Sequence, residues 1–386
     1  MNYRVRDRKK PYELDLRDVW KREQRKMTLK QIVFLPYLLF RSISISGQKT
    51  YYPEMERKNR LERIFDNVVW SIVNLEPNMY YTSYGLDIKG FHDPKDYLPY
   101  REFKLMREGA HYSTPSGRHY DSKILLRDKY IFSCYSQSAL GQGVVPKTLG
   151  VLENGYIEEF ETKKSVDIET FFNDHPRYFC KLIDGECADS VLLLQSYGGK
   201  IWNGKAEITI EEIEKAVSGG RYIIQDVVEQ HELVNKLNPS CINTIRIITI
   251  RGKSGAINVF AASMRLGVKA DSFVDNRAAG GMAVGITEDG KLKKYGFQHV
   301  EFGGKSEKHP VTGTVFEGYQ LPYWSEVIDL VKKAHECFRG IQSIGWDVAI
   351  TPTGPILIEG NDNWEVPNPQ DSHGGLKKRW YELINS

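Results

Sequence analysis

The chain has 386 residues, 41% of them hydrophobic and 27% charged, a balance that excludes long disorder and leaves room for two or three domains. Its net charge is only +3, yet residues 1–60 hold 16 Lys and Arg against 7 Asp and Glu, so the positive surplus sits at the N-terminus. Five scattered cysteines (Cys134, Cys180, Cys187, Cys241, Cys337) with no C-x-x-C pair exclude a disulfide framework and a thiolate zinc site, and they predict a cytoplasmic protein.

No apolar stretch follows the basic residues of "MNYRVRDRKKPYELDLRD", so no signal peptide is expected. The basic segment carries no zinc-finger, RRM or helix-turn-helix signature, so no nucleic-acid partner is expected either. In "LKQIVFLPYLLFRSISISG", residues 29–47, the apolar core Ile32 to Phe40 is too short to span a bilayer and is interrupted by Pro36. The preceding "KREQRKMTLK" leaves two readings open: peripheral contact of residues 20–47 with the inner face of an anionic membrane, or ordinary core helices. Residues 54–75 predict an amphipathic helix with Leu61, Ile64, Phe65, Val68, Val69 and Ile72 on one face. A Tyr- and Pro-rich stretch then reads as loop.

From about residue 120 short strands and helices alternate, with Glu-Asn-Gly and Gly-Gly turns, the texture of an α+β chain. After residue 240 the strands lengthen: "INTIRIITIRG" and "AINVFAASMRLG" form a hairpin through Lys-Ser-Gly, and the Gly-rich "VDNRAAGGMAVGI" precedes another strand. "SEVIDLVKKAHECFRGI" predicts a helix after a Ser N-cap, with Val327, Leu330, Val331, Ala334, Phe338 and Ile341 on one face.

That helix leads into "GWDVAITPTGPILIEGNDNW", residues 345–364, a hairpin with carboxylates where core residues are expected. Glu359 and Asn361 share a strand face, and a turn centred on Thr353 sets Asp347 opposite Glu359, whereas a centre half a residue away misaligns them. Two carboxylates and an amide make an all-oxygen set suited to Mg²⁺; an exposed hairpin with polar outward residues has the same spacing. Upstream, Lys129 opens a helix, Lys181 sits in an apolar strand, and Arg246 and Arg265 lie in hydrophobic strands where a guanidinium needs a carboxylate or phosphate partner. Cys187 has no paired base, and His231 and His309 are loop histidines that either position an acceptor or are merely exposed.

The ordered set resembles the ATP-grasp superfamily over about residues 120–365. It comprises Asp128-Lys129, the Lys181 strand, "YIIQDVVEQ" at 222–230, "NTIRIIT", "DN…GG" at 275–281, Asp347 and "EGN" at 359–361. "NPSCINTIRIITI", "VDNRAAGG", "HPVTG" and the final hairpin look most like the sugar-transfer-associated proteins of surface-polysaccharide gene clusters. The resemblance implies two α+β lobes gripping ATP: a basic helical region over 1–115, a small lobe over 116–230 and a large lobe with the metal site over 231–386. It implies that Lys129 and Lys181 bind phosphates, that the backbone from Gln225 through Asp226 to Val228 holds adenine, and that Glu229 reaches the ribose or adenine edge. Arg246 would face the phosphates, Arg265 lies in the next strand, and Asn276 and Arg277 would touch the acyl substrate or γ-phosphate. Asp347, Glu359 and Asn361 match the magnesium ligands. The expected activity is a carboxylate–amine ligase using ATP and Mg²⁺; the alternatives are a kinase acting on a sugar or polyol hydroxyl, and a nucleotide-binding scaffold at the membrane. One departure stands out: the loop after Lys181, "DGECADS", has a single glycine where relatives carry a glycine-rich lid.

Overall fold

A computed structural model describes residues 28–112, 122–185, 191–198, 200–204, 206–268 and 280–386. Within these residues the strands form two antiparallel sheets. The first contains β1 (Thr148–Glu153), β2 (Tyr156–Glu159), β3 (Ser165–Asp167), β4 (Arg177–Leu182), β5 (Val191–Tyr197), β6 (Lys200–Asn203), β7 (Ala206–Ile208) and β8 (Tyr222–Asp226), in the order β3-β2-β1-β8-β4-β5-β6-β7. Asn154 and Gly155 both take positive φ (53° and 81°), the left-handed pair that the predicted Glu-Asn-Gly hairpin turn needs. Strand alternation sends Tyr178 and Cys180 under the helices Ile168–Asp174 and Ile210–Ala216, where they pack with Phe171, Ile213 and Ile224. Phe179 and Lys181 consequently point to the other face, together with Gln225, the register partner of Phe179.

The second sheet contains β9 (Ile245–Arg251), β10 (Ile257–Leu266), β11 (Met282–Ile286), β12 (Leu292–Gln298), β13 (Lys305–Ser306), β14 (Ser343–Thr351) and β15 (Gly354–Asn361), in the order β13-β12-β11-β10-β9-β14-β15. The helix Trp324–Cys337 lays Val327, Val331 and Ala334 on Ile245, Ile247, Trp346 and Val348, as its spacing predicts. Each of the buried Val and Ile side chains contributes about 1.5–3 kcal/mol of transfer free energy. The expected Ser cap is corrected: the helix opens one residue before Ser325, after Tyr323 in the left-handed region, and the Ser325 hydroxyl turns to Glu326. The opposite face of the sheet buries Ile248, Ile250 and Phe260 against Trp364, Trp380 and the N-terminal Leu98, Phe103 and Met106. Leu126 and Phe132 also enter the second sheet's core, so residues 122–145 of the expected 116–230 lobe pack with the other lobe.

Two N-terminal helices, Thr28–Ser46 and Arg60–Asn74, pair with one another. The first runs through Pro36 rather than breaking there. The second starts at Arg60, not 54, because Asn59 and Glu62 form a reciprocal capping box. Its apolar face is turned outward: Leu61, Phe65, Val69 and Ile72 are exposed while Asn67, Trp70 and Ser71 are buried. No described helix is long and apolar enough to cross a membrane.

Candidate nucleotide and metal site

Along β9 the side chains on one face run Ile250, Ile248, Arg246, so an apolar face ends in a charge. Cross-strand pairing extends that charge into a row: Arg246 is opposite Ser263 of β10 and Asp347 of β14, and Asp347 is opposite Glu359 of β15. The hairpin turn places Thr351 opposite Gly354, half a residue away from the expected centre on Thr353. A bulge between Asp347 and Val348 takes up the difference, because Val348 faces Leu357 while Asp347 faces Glu359. The two carboxyls are thus aligned by an irregularity that spacing alone does not show. Gly345 supports the same end of the sheet: a Cβ there would lie 2.8 Å from Trp364 Cβ, and its carbonyl receives Asn361 Nδ2 at 3.3 Å.

Asp347 is the electrostatic centre. Its side chain is 4% exposed and accepts three charge-assisted hydrogen bonds, from Arg246 Nε (2.5 Å), Arg246 Nη2 (3.0 Å) and Arg265 Nη1 (2.8 Å). Burial alone disfavours the anion, but the two guanidinium charges and the Arg246 hydrogen bond outweigh it and hold the carboxyl well below the usual range. Glu359 moves the other way, raised by burial and then by the Asp347 charge, while Asn361 Nδ2 donates to its Oε1 at 3.1 Å. Arg246 and Arg265 therefore find the partner their strands demand in a carboxylate of the site itself.

The open face of the first sheet and the start of the helix Lys129–Leu140 supply cations. Lys181 Nζ donates to Gln225 Oε1 at 3.2 Å, and its amine is pushed down to about 8, chiefly by burial, with the Lys129 charge adding and the Glu359 charge opposing. Lys129 N donates to the Ile183 carbonyl at 3.0 Å and its Nζ to the Gly185 carbonyl at 2.5 Å, at the start of the loop after β4. Asp128 caps the helix Lys129–Leu140 by accepting Ile131 N–H, so its carboxylate shares the amides expected to favour an anion. Gln225 is buried, Val228 half-buried, and Asp226 and Glu229 exposed at the strand end. Asn276, Arg277, Cys187 and most of the glycine-poor loop lie outside the described residues.

Asp347, Glu359 and Asn361 offer oxygen donors only, and a raised carboxyl beside an ionised one is the arrangement a hard divalent cation resolves by restoring both charges. The residues fit Mg²⁺, with Asn361 offering Oδ1. Among the described residues no group of three or more His, Cys, Asp and Glu converges that could hold a metal ion.

Other expected participants are structural. His309 is fully buried, its Nε2 2.7 Å from the Gly267 carbonyl, and burial lowers its pKa; it braces a turn rather than meeting an acceptor. His231 caps the short helix Glu232–Leu237 by accepting Leu233 N–H. Asp362 pairs with Arg127 (2.9 and 2.8 Å) and Asn363 Oδ1 accepts from Arg107 Nη2, so the rest of "EGNDNW" ties the hairpin to its neighbours. Sequence reading missed a buried amide network in which Gln230 Oε1 accepts from Asn243 N at 2.6 Å and Gln230 Nε2 donates to Asn235 and Asn238. It stiffens the connection from β8 to β9; the run of amides in "HELVNKLNPSCIN" was its signal.

The model of the family described as sugar-transfer associated ATP-grasp matches residues 113–382. Solved structures similar to the chain include N5-carboxyaminoimidazole synthetase from Staphylococcus aureus complexed with ADP, at 12% identity and TM-score 0.38, covering 72% of this chain and 53% of that one. L-amino acid ligase from Bacillus licheniformis aligns at 11% identity and TM-score 0.37, covering 71% of this chain and 49% of that one. D-alanine–D-alanine ligase from Bacillus anthracis aligns at 14% identity and TM-score 0.36, covering 68% and 67%. The chain spans about half the length of the first two of these. No curated protein sequence matches it. With its family model covering most of its length, the chain belongs to the sugar-transfer associated ATP-grasp family.

Proposed function

We propose that the protein is a Mg²⁺- and ATP-dependent ligase that activates a carboxylate as an acyl phosphate for attack by an amine. The observation that carries this reading is the row Arg246–Asp347–Glu359, with Asn361 beside it, Lys181 on the neighbouring sheet and Lys129 at the start of the helix Lys129–Leu140. In this reading Lys129 and Lys181 hold ATP phosphates, the backbone from Gln225 to Val228 receives adenine, and Glu229 meets the ribose or adenine edge. Bound Mg²⁺ supplies charge neutralisation for the phosphoryl group, as such transfers require. Asp347, Glu359 and Asn361 hold it. Arg246 and Arg265 fix the Asp347 carboxylate as an anion and orient it. Asn276 and Arg277 complete the acyl end.

The chemistry balances simply. A carboxylate oxygen attacks the γ-phosphorus and ADP leaves; the amine then attacks the acyl carbon, phosphate leaves, and the amine loses a proton. The family is described as sugar-transfer associated; in this reading the carboxylate substrate comes from surface-polysaccharide synthesis and is an amino acid or a uronic acid. Purified protein with ATP, Mg²⁺ and a panel of amino acids and uronic acids should release ADP, with a product lighter by one water than its two substrates. Absence of ADP release across the panel, with ATP still bound, refutes turnover and favours the scaffold. A gain of phosphate on the acceptor means a kinase.

A further inference from the structure

The helices Thr28–Ser46 and Arg60–Asn74 are built with their small polar side chains inward. Ser42 Oγ lies 2.8 Å from Ser71 Oγ and donates to the Leu38 and Asn67 carbonyls (2.8 and 3.1 Å), and Ser42, Asn67 and Ser71 are fully buried. Leu38, Ile45 and Trp70 are buried, but other large apolar side chains are outside: Phe40 is 69% exposed, Leu61 77% and Phe65 67%. Leu61, Phe65, Val69 and Ile72 recur every three or four residues and so form one stripe. A water-soluble helix pair buries such a stripe; small polar contacts inside and apolar surface outside is the arrangement favoured in lipid. The pair is anchored to the body, since Ile45 and Trp70 pack with Tyr81, Tyr84 and Tyr97, and Gln370 Nε2 donates to the Tyr84 hydroxyl.

Charge selects the partner. Between residues 28 and 74 the sequence has Lys30, Arg41, Lys49, Arg57, Lys58, Arg60 and Arg63 against Glu54, Glu56, Glu62 and Asp66, with Arg57 paired to Asp87 and Lys58 to Asp66, and the first 60 residues carry 16 basic side chains against 7 acidic. Apolar stripe and basic surplus together describe a segment that lies in the interface of an anionic bilayer. We propose that this helix pair is a monotopic membrane-docking element, with its outward stripe among acyl chains and its basic residues at anionic phospholipid headgroups. The inference stands independently of the ligase reading.

The test is flotation of the full chain with phosphatidylcholine vesicles, with and without phosphatidylglycerol. The wild type should float with the anionic vesicles, more weakly with neutral ones, and more weakly at raised salt. Leu61→Glu with Phe65→Glu should lower partitioning into anionic vesicles by about a hundredfold, given two large exposed apolar groups and two added negative charges. Phe40→Ser, a milder change on the other helix, should lower it by about tenfold. The unfolding curve of each variant serves as the folding control. A wild type that stays below the vesicles overturns the proposal, as does a folded double variant that floats like wild type. So does a wild-type dimer that ignores vesicles and is split by the same substitutions, because a second copy then covers the stripe.

Discussion

Asp347→Asn removes the charge on which two guanidinium groups converge. The carboxylate is 4% exposed and accepts three charge-assisted bonds, while Arg246 and Arg265 are 23% and 13% exposed, so neither cation gains much water when its partner is neutralised. Breaking a buried pair by neutralising one member costs about 3–5 kcal/mol. Glu359 offsets part of this: with the Asp347 charge gone, one reason for its raised carboxyl disappears, and the nearby Arg246 favours its anion. We expect a loss of about 3 kcal/mol at about pH 8, where Glu359 substitutes as counter-ion, and a larger loss at about pH 5, where burial keeps more of it protonated. The sign follows from linkage. In the wild type the depressed Asp347 contributes stability above the unfolded value of ~3.9 and loses it only as pH falls through the lower folded value, so the difference between the two conditions belongs to Glu359. Urea unfolding followed by tryptophan fluorescence, to which the buried Trp346 contributes, measures both. Adding Glu359→Gln should cost more than the sum of the single changes, by about 0.5–3 kcal/mol, because no counter-ion remains. A loss under about 1 kcal/mol at both pH values, or an additive cycle, refutes the claim that these charges form one unit.

Glu359→Gln alone should leave the metal-free protein as stable as wild type or more so at about pH 8. A raised acid disfavours the fold above its unfolded pKa of ~4.3 and ceases to do so below it; thermal melts across pH check this, and a clear loss of stability at pH 8 contradicts it. The same variant should lose the melting-temperature rise that Mg²⁺ and ATP together give wild type. Lys181, with its amine near 8, should make ATP affinity fall as pH rises through that value, with proton uptake on binding visible by calorimetry in buffers of different ionisation enthalpy. Lys181→Met should bind ATP at least tenfold more weakly at about pH 7 and lose that pH dependence; an unchanged slope excludes this lysine from the phosphates.

Local pattern carried much of the fold. Period-two alternation placed the strands, the Asn-Gly turn placed a hairpin, and the spacing of Val327, Val331 and Ala334 placed the helix that covers the second sheet. Residue chemistry carried much of the site: a lysine in an apolar strand, two arginines in hydrophobic ones, and acids in a buried-looking hairpin each demanded a partner. Which partner was not legible. Arg246 and Arg265 meet Asp347 across 101 and 82 residues, a convergence created by strand order, and Asp347 faces Glu359 only because a bulge corrects a displaced turn.

The amphipathic helix Arg60–Asn74 makes the same point from the other side. Its periodicity was plain in the sequence, but periodicity says only that two faces differ. The direction of the apolar face was decided by its neighbours, which offered Ser42 to Asn67 and Ser71 and left Leu61 and Phe65 to the outside. His309 likewise read as a loop histidine until the packed turn buried it on the Gly267 carbonyl. Sequence by itself determined element types, the charged groups that need counter-ions and the family resemblance, since those depend on a residue and its near neighbours. Tertiary structure decided pairing, register and the direction of burial, because these depend on surfaces brought together from distant parts of the chain.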